Sequence, residues 1–178
     1  MLSEIFKDNI NEIKFGYLKR KHANKYCSLA SVYQNKPQVR TVVLRDMSEG
    51  YNLIFFTDKR SDKVKQYQDN PHAEVLFYNP KKLLQIKVGG KIKHLQNQER
   101  LNHYKQNIQG ASQKDYSTLK KPSTPIKNQD KVEYGDELNF AVLELNTEYI
   151  ESLQLKRPNH IRCLFEKKDN WKGQFLVP

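Results

Sequence analysis

The 178-residue sequence has no long apolar run: nothing in it approaches the roughly 18 consecutive apolar residues that span a bilayer. Its opening, MLSEIFKDNINEIKF, is charged throughout and lacks the apolar centre of a secretory signal. A cytoplasmic protein with no membrane partner is therefore expected. Cysteine is scarce too. Cys27 and Cys163 have no CxxC or Cys/His spacing, so neither a disulfide framework nor a metal site is expected, and neither thiol is assigned any chemistry. No internal repeat and no βαβ alternation occurs, which sets aside solenoids and doubly wound folds. One domain over residues 1–178 is the expectation, since 37% hydrophobic residues can build one core.

Positive charge, by contrast, is abundant. Lys and Arg number 31 against 20 acids, giving a net charge of +11, a balance at which nucleic acid deserves a weighing. The cations are scattered, however: Lys19-Arg20-Lys21, Lys81-Lys82, Lys120-Lys121 and Lys167-Lys168 fall near turns and helix faces. No RNP-like aromatic pattern, zinc module or helix-turn-helix spacing accompanies them. Solvated surface is the better account, and a nucleic-acid partner is not expected. The rival reading is a basic barrel in which Tyr51, Phe55 and Tyr78 stack single-stranded bases.

The hydrophobic pattern is mainly that of strands. Ser3 to about Arg20 reads as a helix through Ile5, Phe6, Ile10 and Ile13, within an N-terminal helical segment 1–24. Period-two alternation then marks strands at 26–33 and 37–45, joined around Gln34-Asn35-Lys36, and at 51–57. In DKRSDKVKQYQDNP the period changes: Ser61 can cap a short helix, Val64 and Tyr67 share a face, and Asn70-Pro71 ends it. Strands resume at 73–78 and 83–95, the latter broken at Gly89-Gly90 where a bulge is expected. A second helix starts near Asn97, carries Leu101, Tyr104 and Ile108, and stops at Gly110. Residues 111–137 are rich in Ser, Lys, Gln and Pro without apolar periodicity, so they form either a mobile excursion or a lid or partner arm. A strand at 138–145 and a hairpin of 160–165 with 171–177 complete the chain. Six or more strands with short helices argue for a small antiparallel barrel. Arg40 to Lys63 runs from two strands through a polar turn into a helix, an arrangement that suits an anion.

Certain residues carry a resemblance. R-T-V-V-L-R at 40–45, F-F-T at 55–57, R-S-D-K at 60–63, N-P at 70–71 and L-Q-I-K-V-G-G-K at 84–91 follow the order of pyridoxamine 5'-phosphate oxidases, as do H-I-R at 160–162, Trp171 and the terminal L-V-P. The chain thus resembles that FMN-binding family over about residues 25–178. The resemblance implies a mainly β fold, a six-stranded antiparallel split β-barrel with short flanking helices. It also implies a homodimer with FMN at the interface, each barrel completed by its twin.

By the same resemblance, Arg40 and Lys63 grip the FMN phosphate, with Ser61 and the helix it caps adding a hydroxyl and amides. Thr41, Val42, Val43, Phe56 and Thr57 line the flavin and its ribityl chain, Gln85 reaches it across the interface, and Arg162 lies near the ring. Asp62 stands where relatives carry a second basic residue. On the substrate side Arg45, Tyr104 and Ser112 match phosphate ligands and His160 a substrate-facing residue, the one catalytic candidate; Ile108 and Pro158 replace two arginines. The expectation is an FMN-dependent oxidoreductase acting on a small compound, an anion among the candidates. The alternatives are a genuine pyridoxamine or pyridoxine 5'-phosphate oxidase whose phosphate site is rebuilt from Lys120 and Lys121, or a flavin or nucleic-acid binder without turnover.

Overall fold

The computed structural model describes all 178 residues. Helix α1 (Leu2–Leu18) leads into strands β1 (Tyr26–Tyr33), β2 (Lys36–Met47) and β3 (Leu53–Asp58), then helix α2 (Asp62–Asp69). Strands β4 (His72–Asn79) and β5 (Leu84–His94) precede helix α3 (Gln98–Gln106), and β6 (Phe140–Gln154), β7 (Ile161–Glu166) and β8 (Gly173–Leu176) follow. The strands form one sheet in the order β3-β2-β1-β4-β5-β6-β7-β8, and β3 also pairs with β6. Six strands therefore close into an antiparallel barrel, with β7 and β8 extending from β6 outside the ring. This is the expected split-barrel architecture. No helix is long and apolar enough to cross a membrane.

Alternation sets which side chains enter the barrel. In β4 every second residue is buried, Ala73, Val75, Phe77 and Asn79, while His72, Glu74, Leu76 and Tyr78 face out. Leu29, Leu44, Phe55, Val88, Leu143 and Ile150 meet them in the core. The β1–β2 hairpin turns on two residues, Gln34 and Asn35, both at positive φ, in the mirror-image turn that suits the twist of paired strands. The β5–β6 register shifts at Gly89/Gly90, as expected for a bulge. A Cβ on Gly90 would run into the Asn146 carbonyl and one on Gly89 into the Tyr149 ring, so side chains are excluded there.

Two expectations need correction. Strand β6 runs 15 residues, not the eight of 138–145, because its second half pairs with β5 and β7 and so overrides the weak strand propensity of Asn146, Glu148 and Glu151. Helix α3 stops at Gln106, before Ile108. Segment 111–137 holds short 3-10 turns at Gly110–Tyr116 and Gln129–Lys131 and a bridge between Thr118 and Tyr134. Arg60 donates to the carbonyls of Thr118 (2.7 Å) and Leu119 (3.1 Å), which fastens the segment to the β3–α2 turn.

Helix α1 packs Phe6 against Tyr51, Phe165 and Trp171, and carries one buried charge, Glu12. Glu12 accepts from His22 Nε2 (2.7 Å), Asn79 Nδ2 (2.9 Å) and Lys82. Burial alone would push its carboxyl up, but the bonds from Lys82 and Asn79 hold it below the usual carboxylate range. Stability from Glu12 is therefore present above the ordinary value and lost as pH falls through the lower folded value. Glu12→Gln should cost about 1–3 kcal/mol at neutral pH, and urea unfolding at about pH 7 and about pH 3 should show the deficit shrinking in acid. An equal deficit at both would contradict this account.

Candidate functional site

The β3–α2 turn gathers three of the residues expected at an anion site. Thr57 ends the inward row of β3, and the turn brings Ser61 back beside it: Thr57 Oγ1 and Ser61 Oγ are 3.0 Å apart, both buried. Two residues later, Lys63 Nζ donates to Thr57 Oγ1 (3.0 Å) and Ser61 Oγ (3.3 Å). Ser61 occupies the N-cap of α2, yet its hydroxyl makes no capping bond. The hydroxyl is spent on the Thr57–Lys63 cluster instead, and the first amides of α2 are left without an intrahelical partner.

Arg40 approaches from β2. Its guanidinium donates through Nη1 to Ser31 Oγ (2.8 Å) and Leu29 O (3.4 Å), and through Nη2 to Gln66 Oε1 (2.8 Å). Neither Arg40 nor Lys63 forms an ion pair with any carboxylate. Burial lowers the Lys63 pKa and the positive Arg40 lowers it further, while Asp58 and Asp62 act against both. Two partly buried cations thus lie near enough to repel, each held by neutral groups and neither in an ion pair. Such a donor set fits a phosphate dianion, which would supply the missing negative charge.

The acid at position 62, where relatives carry a basic residue, is exposed and turned toward the 111–137 segment, 3.6 Å from Lys121 Nζ. Arg60 clamps Asp58 at 2.7 and 3.0 Å and does not pair with Asp62.

The remaining candidates fall into two other places. Gln85 pairs with Tyr78 on one side and with Leu153 on the other, and Leu153 pairs with Arg162. In the closed ring β5 lies three strands from β2 by either route, so Gln85 and Arg162 stand across the barrel from Arg40. Arg162 donates twice to Glu151 Oε1 (2.7 and 3.0 Å), and Lys87 lies 3.3 Å from the other carboxylate oxygen. Thr41 is exposed; Val42 and Val43 are partly buried, and Val42 packs on the core.

Two of the expected substrate residues, Arg45 and Tyr104, meet at Phe56, which touches the rings of Tyr104 and Phe140 and has the Arg45 guanidinium 5.4 Å above it. The hydroxyls of the expected set are already engaged. Tyr104 Oη donates to Asp46 Oδ2 (3.0 Å), and burial together with that carboxylate raises the Tyr104 pKa. Ser112 Oγ donates to the Gln109 carbonyl (2.8 Å), and Ile108 is buried. Tyr104 also lines an open cleft of about 430 Å³ whose charged members are Glu49, Glu144 and Arg100. His160 is exposed in the turn before β7, its Nδ1 accepting from the Lys156 amide at 3.1 Å. Lys120 and Lys121 lie beside the β3–α2 turn rather than this cleft. Of the aromatic residues weighed as stacking platforms, Phe55 is core, Tyr51 packs under Phe6 and Trp171, and Tyr78 alone is open.

Sequence reading missed Ser31 and Gln66, which hold Arg40, and Asp46, which takes the Tyr104 hydroxyl. For the first two the signal was present: Ser31 is a polar residue in the inward row of β1, and Gln66 lies on α2 next to Tyr67, one turn from Lys63.

The family model of the pyridoxamine 5'-phosphate oxidase FMN-binding domain matches residues 3–96, a stretch holding the whole anion cluster and Gln85. The chain belongs to this family. Pyridoxine/pyridoxamine 5'-phosphate oxidase of Pelagibacter ubique is 26% identical over 176 residues, 98% of this chain and 74% of that protein. The oxidase of Acinetobacter baumannii is 41% identical over 70 residues, 39% of this chain and 31% of its own length. Among solved structures, a pyridoxamine 5'-phosphate oxidase-related FMN-binding protein from Nostoc punctiforme superposes with a TM-score of 0.75 at 22% identity, covering 98% of this chain and 96% of that one. PhzG from Burkholderia lata, solved with tetrahydrophenazine-1-carboxylic acid, gives 0.76 at 17%, covering 98% and 91%. At these identities the solved structures share the fold.

Removing the Lys63 charge should affect stability and binding in opposite directions. With its folded pKa below the unfolded one, Lys63 binds fewer protons in the native state, so stability rises with pH across the interval between the two. Lys63→Met should therefore match or exceed the wild type in melting temperature without added anion, and lose most of the stabilisation that inorganic phosphate gives the wild type. A variant that melts lower yet still responds fully to phosphate would contradict this geometry.

Proposed function

We propose that this protein is a homodimeric FMN-dependent oxidoreductase in which Arg40, Lys63, Thr57, Ser61 and the first amides of α2 hold the flavin phosphate. The observation that carries this reading is the unpaired cation couple, a charge arrangement that is unfavourable without an anion. The matched family domain supports FMN as that anion's source. Bound FMN would accept or deliver hydride at its ring, and the chain's own residues would bind, orient and shield it.

The position of Gln85 and Arg162 supports the dimer. Residues expected to touch one flavin stand on opposite walls of one barrel, so a shared cofactor needs the Arg40 cluster of one protomer and the Gln85 wall of its twin. Outward-facing apolar residues fit such contact: Val39 is 67% exposed, Tyr26 59% and Tyr78 50%. Thr41, Val42 and Val43 offer backbone and small side chains along the flavin's path. Phe56 turns its ring to Tyr104 and would contribute its backbone. Two buried, unbridged thiols suit a reducing, cytoplasmic setting.

The second reading, oxidation of pyridoxamine or pyridoxine 5'-phosphate, draws on the similarity to the Pelagibacter oxidase, which spans 98% of this chain and 74% of that protein. The residues on the substrate side argue against it. Ile108 brings no charge, Ser112 and Tyr104 are bonded to other partners, and Asp46 sets a carboxylate beside Tyr104, which leaves Arg45 as the one cation of the expected set. We infer a small substrate recognised without a phosphate grip, with His160 as the candidate facing it.

Purified protein should be yellow, release FMN on denaturation at one per protomer, and run as a dimer by light scattering. Arg40→Ala should weaken FMN by about 10- to 100-fold, from the loss of one charge-assisted contact. Arg40→Ala and Gln85→Ala protomers, mixed and refolded together, should regain one intact site per mixed dimer. A colourless protein that takes up no added FMN would sink the proposal. Rapid formation of pyridoxal 5'-phosphate from its amine would restore the second reading.

A further inference from the structure

An arginine fixed in a protein interior is usually held by a carboxylate, which also cancels its charge. Arg40 is fixed by neutral groups alone. Ser31 and Gln66 are 3% and 8% exposed, and they bond each other as well as the guanidinium: Ser31 Oγ donates to Gln66 Oε1 at 2.9 Å while accepting from Arg40 Nη1, and Gln66 Oε1 also accepts from Arg40 Nη2. Leu29 O completes the set at 3.4 Å. The neighbouring Tyr67 hydroxyl donates to Ala30 O (3.0 Å), and burial pushes its pKa up to about 12, so it too stays neutral.

We propose that Ser31 and Gln66 are positioning residues that orient the Arg40 fork through dipoles while leaving its full charge for the flavin phosphate. The inference rests on the FMN reading above and goes one step behind it. A carboxylate at position 66 would bond the same nitrogen in the same place and would orient Arg40 equally well. It would also neutralise it. Gln66 differs from Glu in this setting by charge alone, so the identity of residue 66 separates a structural prop from an electrostatic device. The two residues come from different elements, Ser31 from β1 and Gln66 from α2, so the cradle also fixes α2, and with it Ser61 and Lys63, against the strand that carries Arg40.

The test uses the purified full chain and three probes: FMN, riboflavin, which is the same flavin without the phosphate, and inorganic phosphate read as a melting-temperature shift. The wild type should prefer FMN to riboflavin by about a hundredfold, counting about tenfold for each of two charge-assisted contacts, and should be stabilised by phosphate. Gln66→Glu should fold with equal or higher melting temperature, keep its riboflavin affinity, cut the FMN preference to about tenfold or less, and lose the phosphate response. Ser31→Ala should give a smaller loss of FMN preference, restored by Ser31→Thr. Should Gln66→Glu fail to fold, Gln66→Met serves, with a reduced FMN preference expected at unchanged riboflavin affinity. A Gln66→Glu or Gln66→Met protein that keeps the wild-type preference and phosphate response overturns the cradle and leaves the FMN site standing. A wild type that binds FMN and riboflavin equally and ignores phosphate overturns the phosphate site and the cradle together.

Discussion

Arg40 and Lys63 stand close enough for the charge of one to act on the other, in a partly buried place where water screens them poorly and neither has a carboxylate partner. Left alone, such a pair opposes folding. The chain nevertheless spends much of its architecture on assembling it. Strand β2 supplies Arg40, β3 supplies Thr57, the turn returns Ser61, and α2 carries Lys63 and Gln66. Arg60 ties that turn to the 111–137 segment and pairs with Asp58, the acid that acts most on Lys63, while Asp62 points away to Lys121. The folded chain thus holds a site that an anion would relieve.

The barrel then decides how such a site can be completed. A ring of six strands puts β2 and β5 as far apart in strand order as the ring allows, which under the proposed reading assigns Arg40 and Gln85 at one flavin to two protomers. Outward rows of β2, β1 and β4 leave Val39, Tyr26 and Tyr78 exposed, and the proposed dimer would cover them. In this account the cofactor joins two protomers, and binding and association reinforce one another.

Much of this was legible in the sequence, because the informative signals are local. Period-two alternation located the strands, the Gly-Gly pair the bulge, and Asn97 the start of α3, where its side chain accepts from the Arg100 amide at 2.8 Å. The order R-T-V-V-L-R, F-F-T, R-S-D-K placed the cation couple. What stayed hidden is set by long-range pairing. The second half of β6 is a strand because β5 and β7 flank it. Ser61 is a cap by position whose hydroxyl works elsewhere, and that choice depends on where Lys63 ends up. Ser31, Gln66 and Asp46 gained meaning only once the fold set Ser31 and Gln66 beside Arg40 and Asp46 beside Tyr104.

On the substrate side, the proposed reading departs from the family's namesake reaction because Tyr104 and Ser112 are bonded to other partners and Ile108 brings no charge, leaving Arg45 alone of the expected phosphate ligands. The central claim concerns the cofactor's phosphate. It is tested most directly by the phosphorus NMR signal of FMN on the protein as pH is varied. Held between Arg40 and Lys63, the phosphate should stay a dianion, with a shift that does not titrate near the value of about 6 typical of a phosphate monoester. A resonance that titrates as in free FMN would contradict the account.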